Sequence, residues 1–164
     1  MQSLDDRWGT NNDQGACPMD ARLKRAYWQL TALAMAAHFG GWEPGLGAAI
    51  AITAGQTIHF AAEGCGPRAF EVQVRAAFLA LLLLGLAPPL WPIHAAQFVG
   101  VNVRLVTDYC PLARLLALAP WNRTVPLSWS LARWLLVSPP APGSILDRMP
   151  RDPRTAGSSA APPA

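Results

Sequence analysis

The sequence predicts an all-α membrane protein: four transmembrane helices as two parallel-repeat hairpins, followed by a short cytoplasmic interfacial helix. Three observations predict it. Hydrophobic residues make up 52% of the 164 and charged residues only 14%, against roughly 25% charged in ordinary globular chains. Of all the charged side chains, only Glu43 and Arg104 fall within residues 26–62 or 76–107, so charge is excluded locally rather than diluted. A soluble helical bundle needs a polar stripe along each helix, and these stretches have none. Finally, clusters of Gly and Pro divide the apolar chain into segments of helical length.

Residues 1–25 read as a disordered cytoplasmic tail, rich in Asp, Asn, Gly and Gln, with no apolar region of the kind that marks a cleavable signal. It ends in a basic cluster, Arg22, Lys24 and Arg25. The first apolar segment runs from about Ala26 to Trp42, and Gly41-Trp42-Glu43-Pro44-Gly45 supplies a tight turn. The second runs from Leu46 to about Ala62. A polar link containing Glu63, Cys65, Pro67, Arg68 and Glu71 leads to a third, about Val74 to Ala87. Pro88, Pro89 and Pro92 around Trp91 break it, and a fourth extends from about Ile93 to Thr107. The hairpins are thus 26–62 and 74–107, within a membrane domain of 26–112. Segments of about 15 to 18 residues are at or below the roughly 17 to 25 that span hydrocarbon. Trp28, Trp42 and Trp91, with Tyr27 and Tyr109, are placed to anchor such short helices at the interfaces.

All 13 basic residues fall in the N-terminal tail, the central link or the C-terminal end, and the two outer turns carry none. The positive-inside rule then places both termini in the cytoplasm of a multi-pass inner-membrane protein. The segment 120–137 contains the turn Pro120-Trp121-Asn122-Arg123 and the Trp- and Leu-rich run 127–137, too short to span and read as an amphipathic interfacial helix. The Pro-, Gly-, Ser- and Ala-rich residues 138–164 read as a disordered tail.

The hairpins also look like copies. Aligning Cys65 with Cys110 sets Gly55 on Gly100, His59 on Arg104 and Glu63 on Asp108, while Arg25-Ala26-Tyr27-Trp28 matches Arg75-Ala76-Ala77-Phe78. Such repeats would be related by an axis along the membrane normal. The pairs Ala32/Ala36, Ala51/Gly55 and Ala96/Gly100 have the small-residue spacing that lets helices approach in lipid, and mark the expected packing faces.

Net charge is +3, but the basic residues sit singly beside apolar segments without interleaved aromatics, so nucleic acid is not an expected partner. Cys17, Cys65 and Cys110 are an odd count with no CxxC pair, indicating neither a disulfide framework nor a four-ligand zinc site. Ionisable groups inside apolar helices are costly and mark functional sites, which makes His59 and Arg104, with Asn102, Gln56 and Gln97, a candidate polar membrane site. Both charged candidates also lie within two turns of the cytoplasmic end, where they can snorkel towards headgroups. That reading is preferred for Arg104, and the alternatives stand level for His59. Cys65 and Cys110 are candidate thiols at equivalent helix ends, where the helix dipole disfavours a thiolate. His38 and His94 fall near the outer ends of their helices and are weak candidates for holding haem or a metal. No metal motif accompanies them, and no cofactor is expected.

Tyr109-Cys110-Pro111-Leu112-Ala113-Arg114-Leu115-Leu116, following an apolar hairpin that opens with Arg75, resembles a small bacterial inner-membrane domain of unknown function found behind rhodanese sulfurtransferase domains. That resemblance covers about 45 residues and implies a two-helix membrane hairpin, dimeric in that family, with sulfur handling entering only through an attached rhodanese. Ala113 stands where that family more often has Tyr, and Gly66-Pro67 replaces Pro-Leu in the first repeat. The abundance of Ala, Arg and Pro with a single Lys suggests a GC-rich bacterial genome. The expected role is an accessory or structural subunit of a membrane complex, more in keeping with a non-enzyme, with the bilayer, other subunits or a second copy as partners. The alternatives are a small transporter or channel for an anion or sulfur species, and a haem- or metal-binding redox protein.

Overall fold

A computed structural model describes residues 20–66, 68–123, 125–139 and 145–148. The expected tails and Cys17 therefore lie largely or wholly outside the described residues. Six α-helices occur among them: α1 Ala21–Phe39, α2 Pro44–Phe60, α3 Phe70–Leu84, α4 Pro92–Thr107, α5 Pro111–Ala117 and α6 Trp129–Val137.

Local chemistry sets their ends. Asp20 caps α1, its carboxylate accepting from the Arg22 amide at 2.9 Å, so that helix starts ahead of the apolar run. Pro44, Pro92 and Pro111 occupy the first turns of α2, α4 and α5, where a missing N–H costs nothing and a fixed φ helps. Ser128 caps α6 by accepting from the Leu131 amide at 3.2 Å. At the end of α2 the chain widens into a π-helical turn, Ala61–Cys65, and leaves it at Gly66 with φ 72°. The end of α4 differs: Asp108 adopts a left-handed conformation (φ 56°) and Cys110 caps α5 two residues later.

Helices α1 to α4 pack in a ring, α1 against α2 and α4, and α3 against α2 and α4. With the short connections this is an up-down-up-down four-helix bundle. Its core centres on Trp28, Met35, Ala49, Phe78, Leu82 and Val101, with Trp28 meeting Phe78 edge-to-face at 5.3 Å. Helix α5 folds back over α3 and α4 and carries α6, which packs on it through buried Leu131 and Leu135. Trp121 and Asn122 both donate to Gln73 Oε1, at 3.0 and 2.9 Å, and pin the α5–α6 connection to α3.

The expectation of four transmembrane helices, and with it the multi-pass inner-membrane location, is corrected. Among the described residues only one helical run, the 20 residues Pro44–Glu63, is long and apolar enough to cross a membrane by length and composition. At about 1.5 Å per residue, the 15 residues of α3 and 16 of α4 fall short of about 30 Å of hydrocarbon. Helix α1 has 19 residues, but Arg22, Lys24 and Arg25 in its opening turns shorten its apolar part. The interfacial segment is also resolved more finely: α6 has nine residues, and α5 before it was not expected.

Of the small residues expected on the packing faces, Ala32 is in the core, and the others are not. A Cβ built on Gly55 or Gly100 would meet nothing within 4 Å, and Ala36, Ala51 and Ala96 are exposed. The close approach is instead at Gly45, where a Cβ would lie 2.6 Å from the His38 nitrogen and 2.7 Å from the Ala34 oxygen. Only a glycine lets α2 begin against α1 there.

Candidate functional site

Polar groups collect at the two ends of the bundle. At the end where α1 begins, Arg75 projects from α3 into the interior and is only 2% exposed. Its guanidinium lies 3.5 Å from the centre of the Phe60 ring and 5.8 Å from that of Trp28, a sandwich that favours a cation. One nitrogen donates to the Glu71 carbonyl at 2.8 Å and lies 3.7 Å from its carboxylate, which Lys24 also contacts at 2.8 Å. Burial lowers the Arg75 pKa to about 10, with Glu71 acting in the opposite sense, so the side chain is a cation at neutral pH. Its Nε and one Glu71 oxygen are buried without hydrogen-bond partners.

The expected polar site, His59, Arg104, Asn102 and Gln56, is not gathered in one place. His59 Nδ1 and the Tyr27 hydroxyl share a hydrogen bond of 3.2 Å. Arg104 stacks 4.9 Å from the centre of the Trp28 ring, on the edge of the Arg75 cluster. Asn102 is exposed and donates to the Phe98 carbonyl of its own helix at 2.7 Å. Gln56 is fully buried and reaches the Thr31 hydroxyl at 3.5 Å between α2 and α1. Gln97, likewise buried, donates to the Phe78 carbonyl of α3 at 2.8 Å. These two amides join adjacent helices, the usual task of a polar group inside an apolar bundle.

Of the candidate thiols, Cys110 is half-buried and its Sγ accepts from the Ala113 amide at 3.5 Å. It therefore stands at the start of α5 rather than at a helix C-terminus. The backbone of Cys65 lies in the π-helical turn, and its side chain is outside the described set.

At the opposite end His38 and His94 face each other, ring centres 6.4 Å apart and planes at 90°. His94 is 5% exposed and sits over Gly85, where a Cβ would come within 2.4 Å of its Nε2. That Nε2 donates to the Leu82 carbonyl at 2.9 Å, which fixes the proton on it and leaves Nδ1 with the lone pair. His38 Nδ1 is buried and has no hydrogen-bond partner. Among the described residues no group of three or more His, Cys, Asp or Glu is placed to hold a metal ion.

The sequence does not mark Arg75 as an interior residue, since it borders an apolar stretch as the other basic side chains do. Nor does it mark Glu71, Tyr27 or Arg114 as functional candidates. Arg25 and Arg75 occupy equivalent places in the aligned hairpins, yet Arg25 is at the surface, donating to the Leu105 carbonyl at 2.9 Å.

Fold and site together define a small up-down helical bundle whose interior holds Gln56, Arg75, His94 and Gln97. No family model, curated protein or solved structure matches the chain.

Proposed function

We propose that this protein is an accessory or structural subunit of a membrane complex, a helical bundle whose outer faces are covered by apolar helices of neighbouring subunits. The observation that carries the reading is an exposed apolar exterior around an interior that also holds polar groups. Thr31, Thr53, Gln56, Arg75, His94 and Gln97 are buried, while Leu33, Ile58, Val99 and Val106 are between 61% and 84% exposed. Water-facing helices show the opposite arrangement. Large exposed apolar side chains on several helices mark surfaces that bind protein or membrane, and polar side chains inside apolar bundles tie helices together. The helical run Pro44–Glu63 is the element able to enter a bilayer. At the α5–α6 end, Trp121 and Trp129 are exposed near Arg123 and Arg133, a combination suited to an interface with headgroups.

The test is extraction of native membranes. The expected result is that the chain resists an alkaline wash, is released by mild detergent, and migrates with other polypeptides well above its own 17.6 kDa. Recovery as a free monomer without detergent refutes the reading. Within the complex, Val99→Lys and Val106→Lys should release the subunit while leaving its helicity unchanged.

A further inference from the structure

The His38–His94 pair has no task in that reading. We infer that these facing imidazoles form a site for one monovalent copper ion, bound between α1 and α4 at the end of the bundle away from Arg75.

The separation fits. The ring centres are 6.4 Å apart with planes at 90°, close enough for one ion to reach a nitrogen of each ring. Orientation fits too. A ligating histidine characteristically donates its other ring N–H to a carbonyl or carboxylate, which sets its tautomer and direction. His94 does this through Nε2 to the Leu82 carbonyl at 2.9 Å. The absence of a side chain at Gly85, where a Cβ would lie 2.4 Å from that nitrogen, is what lets the ring take this position. On α1, the buried Nδ1 of His38 has no hydrogen-bond partner. A buried imidazole nitrogen left unpaired is costly, and a metal ion satisfies it.

The donor set selects the ion. Zinc seeks four ligands, and no third His, Cys, Asp or Glu joins the pair among the described residues. Monovalent copper accepts soft donors and low coordination. Met35, fully buried and three residues before His38 on α1, places a thioether on the same side of that helix one turn deeper. Phe39 lies beside His38, ring centres 5.5 Å apart, and Phe98 lies 5.2 Å from Phe39. Binding moves no electron: each imidazole donates one ring-nitrogen lone pair to the ion, and His94 keeps its Nε2 proton.

The experiment uses full-length protein in mild detergent with Cys17→Ser, Cys65→Ser and Cys110→Ser, because thiolates outbid imidazole for copper. Titrating ascorbate-reduced copper against bicinchoninate should show one ion per chain. His38→Gln and His94→Gln should each weaken binding at least about 100-fold, with circular dichroism unchanged, and zinc should bind more weakly than copper. Lack of a stoichiometric ion in the parent, copper retained in both variants, tighter zinc, or a Soret band in protein from native membranes overturns the assignment. If His94→Gln does not fold, the half-buried His38 at the end of α1 decides through His38→Gln alone.

Discussion

Exchanging Arg75 for methionine tests the account of the buried cation, because opposing contributions of known sign meet there. Burial lowers its pKa to about 10, which corresponds to about 3 kcal/mol against the charged form inside the bundle. The stack on Phe60 at 3.5 Å returns about 2 kcal/mol, and the bond to the Glu71 carbonyl at 2.8 Å about 1.5 to 3. Arg75→Met removes all three while keeping an unbranched chain of similar length between Phe60 and Trp28. The expected change is therefore a loss of only about 0.5 to 2 kcal/mol. Glu71→Gln is the contrasting variant, since it removes the one anion beside a cation that stays buried. It should destabilise by about 1 to 3 kcal/mol, discounted because the Glu71 side chain is 23% exposed. Urea unfolding in mild detergent, followed by circular dichroism at 222 nm, compares the two. If Arg75→Met proves the more damaging by 2 kcal/mol or more, the energetic account is wrong.

The same pKa fixes the sign of a pH effect: because the folded value lies below the unfolded one, the unfolded chain holds its proton to higher pH. Arg75 therefore contributes no pH dependence between pH 6 and 9, and the stability of wild type should gain on that of Arg75→Met only above about pH 10. Gly45→Ala drives a Cβ into the backbone of α1 and should cost about 1 to 3 kcal/mol, whereas Gly47→Ala, with nothing within 4 Å, should stabilise by up to about 1 kcal/mol. Thermal melts of the pair provide the check. Gly85→Ala should displace the His94 ring from the Leu82 carbonyl and lower the melting temperature by several degrees. Arg114→Leu should release α6, seen as protease cleavage between Trp129 and Val137 at concentrations that spare the wild type.

The positions of the turns were legible in the sequence because Gly41, Pro44, Pro88, Pro89 and Pro92 act through backbone geometry alone. The number of spans was not. Apolar runs of similar composition become helices of 15 to 19 residues, and only the π-helical continuation of α2 through Glu63 extends one of them far enough. Nothing in Ala-Ala-Glu-Gly-Cys announces that continuation. Arg75 was misplaced for a related reason: the sequence shows that a charge borders an apolar stretch, not whether it turns to the surface, as Arg25 does, or under Phe60. Helix α5 went unseen because Pro111 after Cys110 reads equally as a break and as the first turn of a helix. The opposition of His38 and His94 was conceivable from their places at matching helix ends, whereas the burial of His94 depends on Gly85, nine residues before it at the end of α3. The small-residue spacing of Ala51/Gly55 and Ala96/Gly100 pointed to the wrong faces, since that pattern reports how closely a helix can be approached, not from which side.

The guanidinium of Arg114 rests 4.1 Å from the centre of the Tyr109 ring and donates to the Leu135 carbonyl, to Ser138 Oγ at 2.7 Å and to the Pro139 carbonyl at 3.2 Å. One side chain thus holds successive acceptors around the last turn of α6. A segment fastened in this way cannot peel off residue by residue, because detaching any part leaves a buried cation short of acceptors. Amide hydrogens from Leu131 to Ser138 should therefore exchange at one common rate, as a unit that opens all at once. The nine-residue α6, far too short to persist alone, is tied to the bundle as one unit by Arg114 together with buried Leu131 and Leu135.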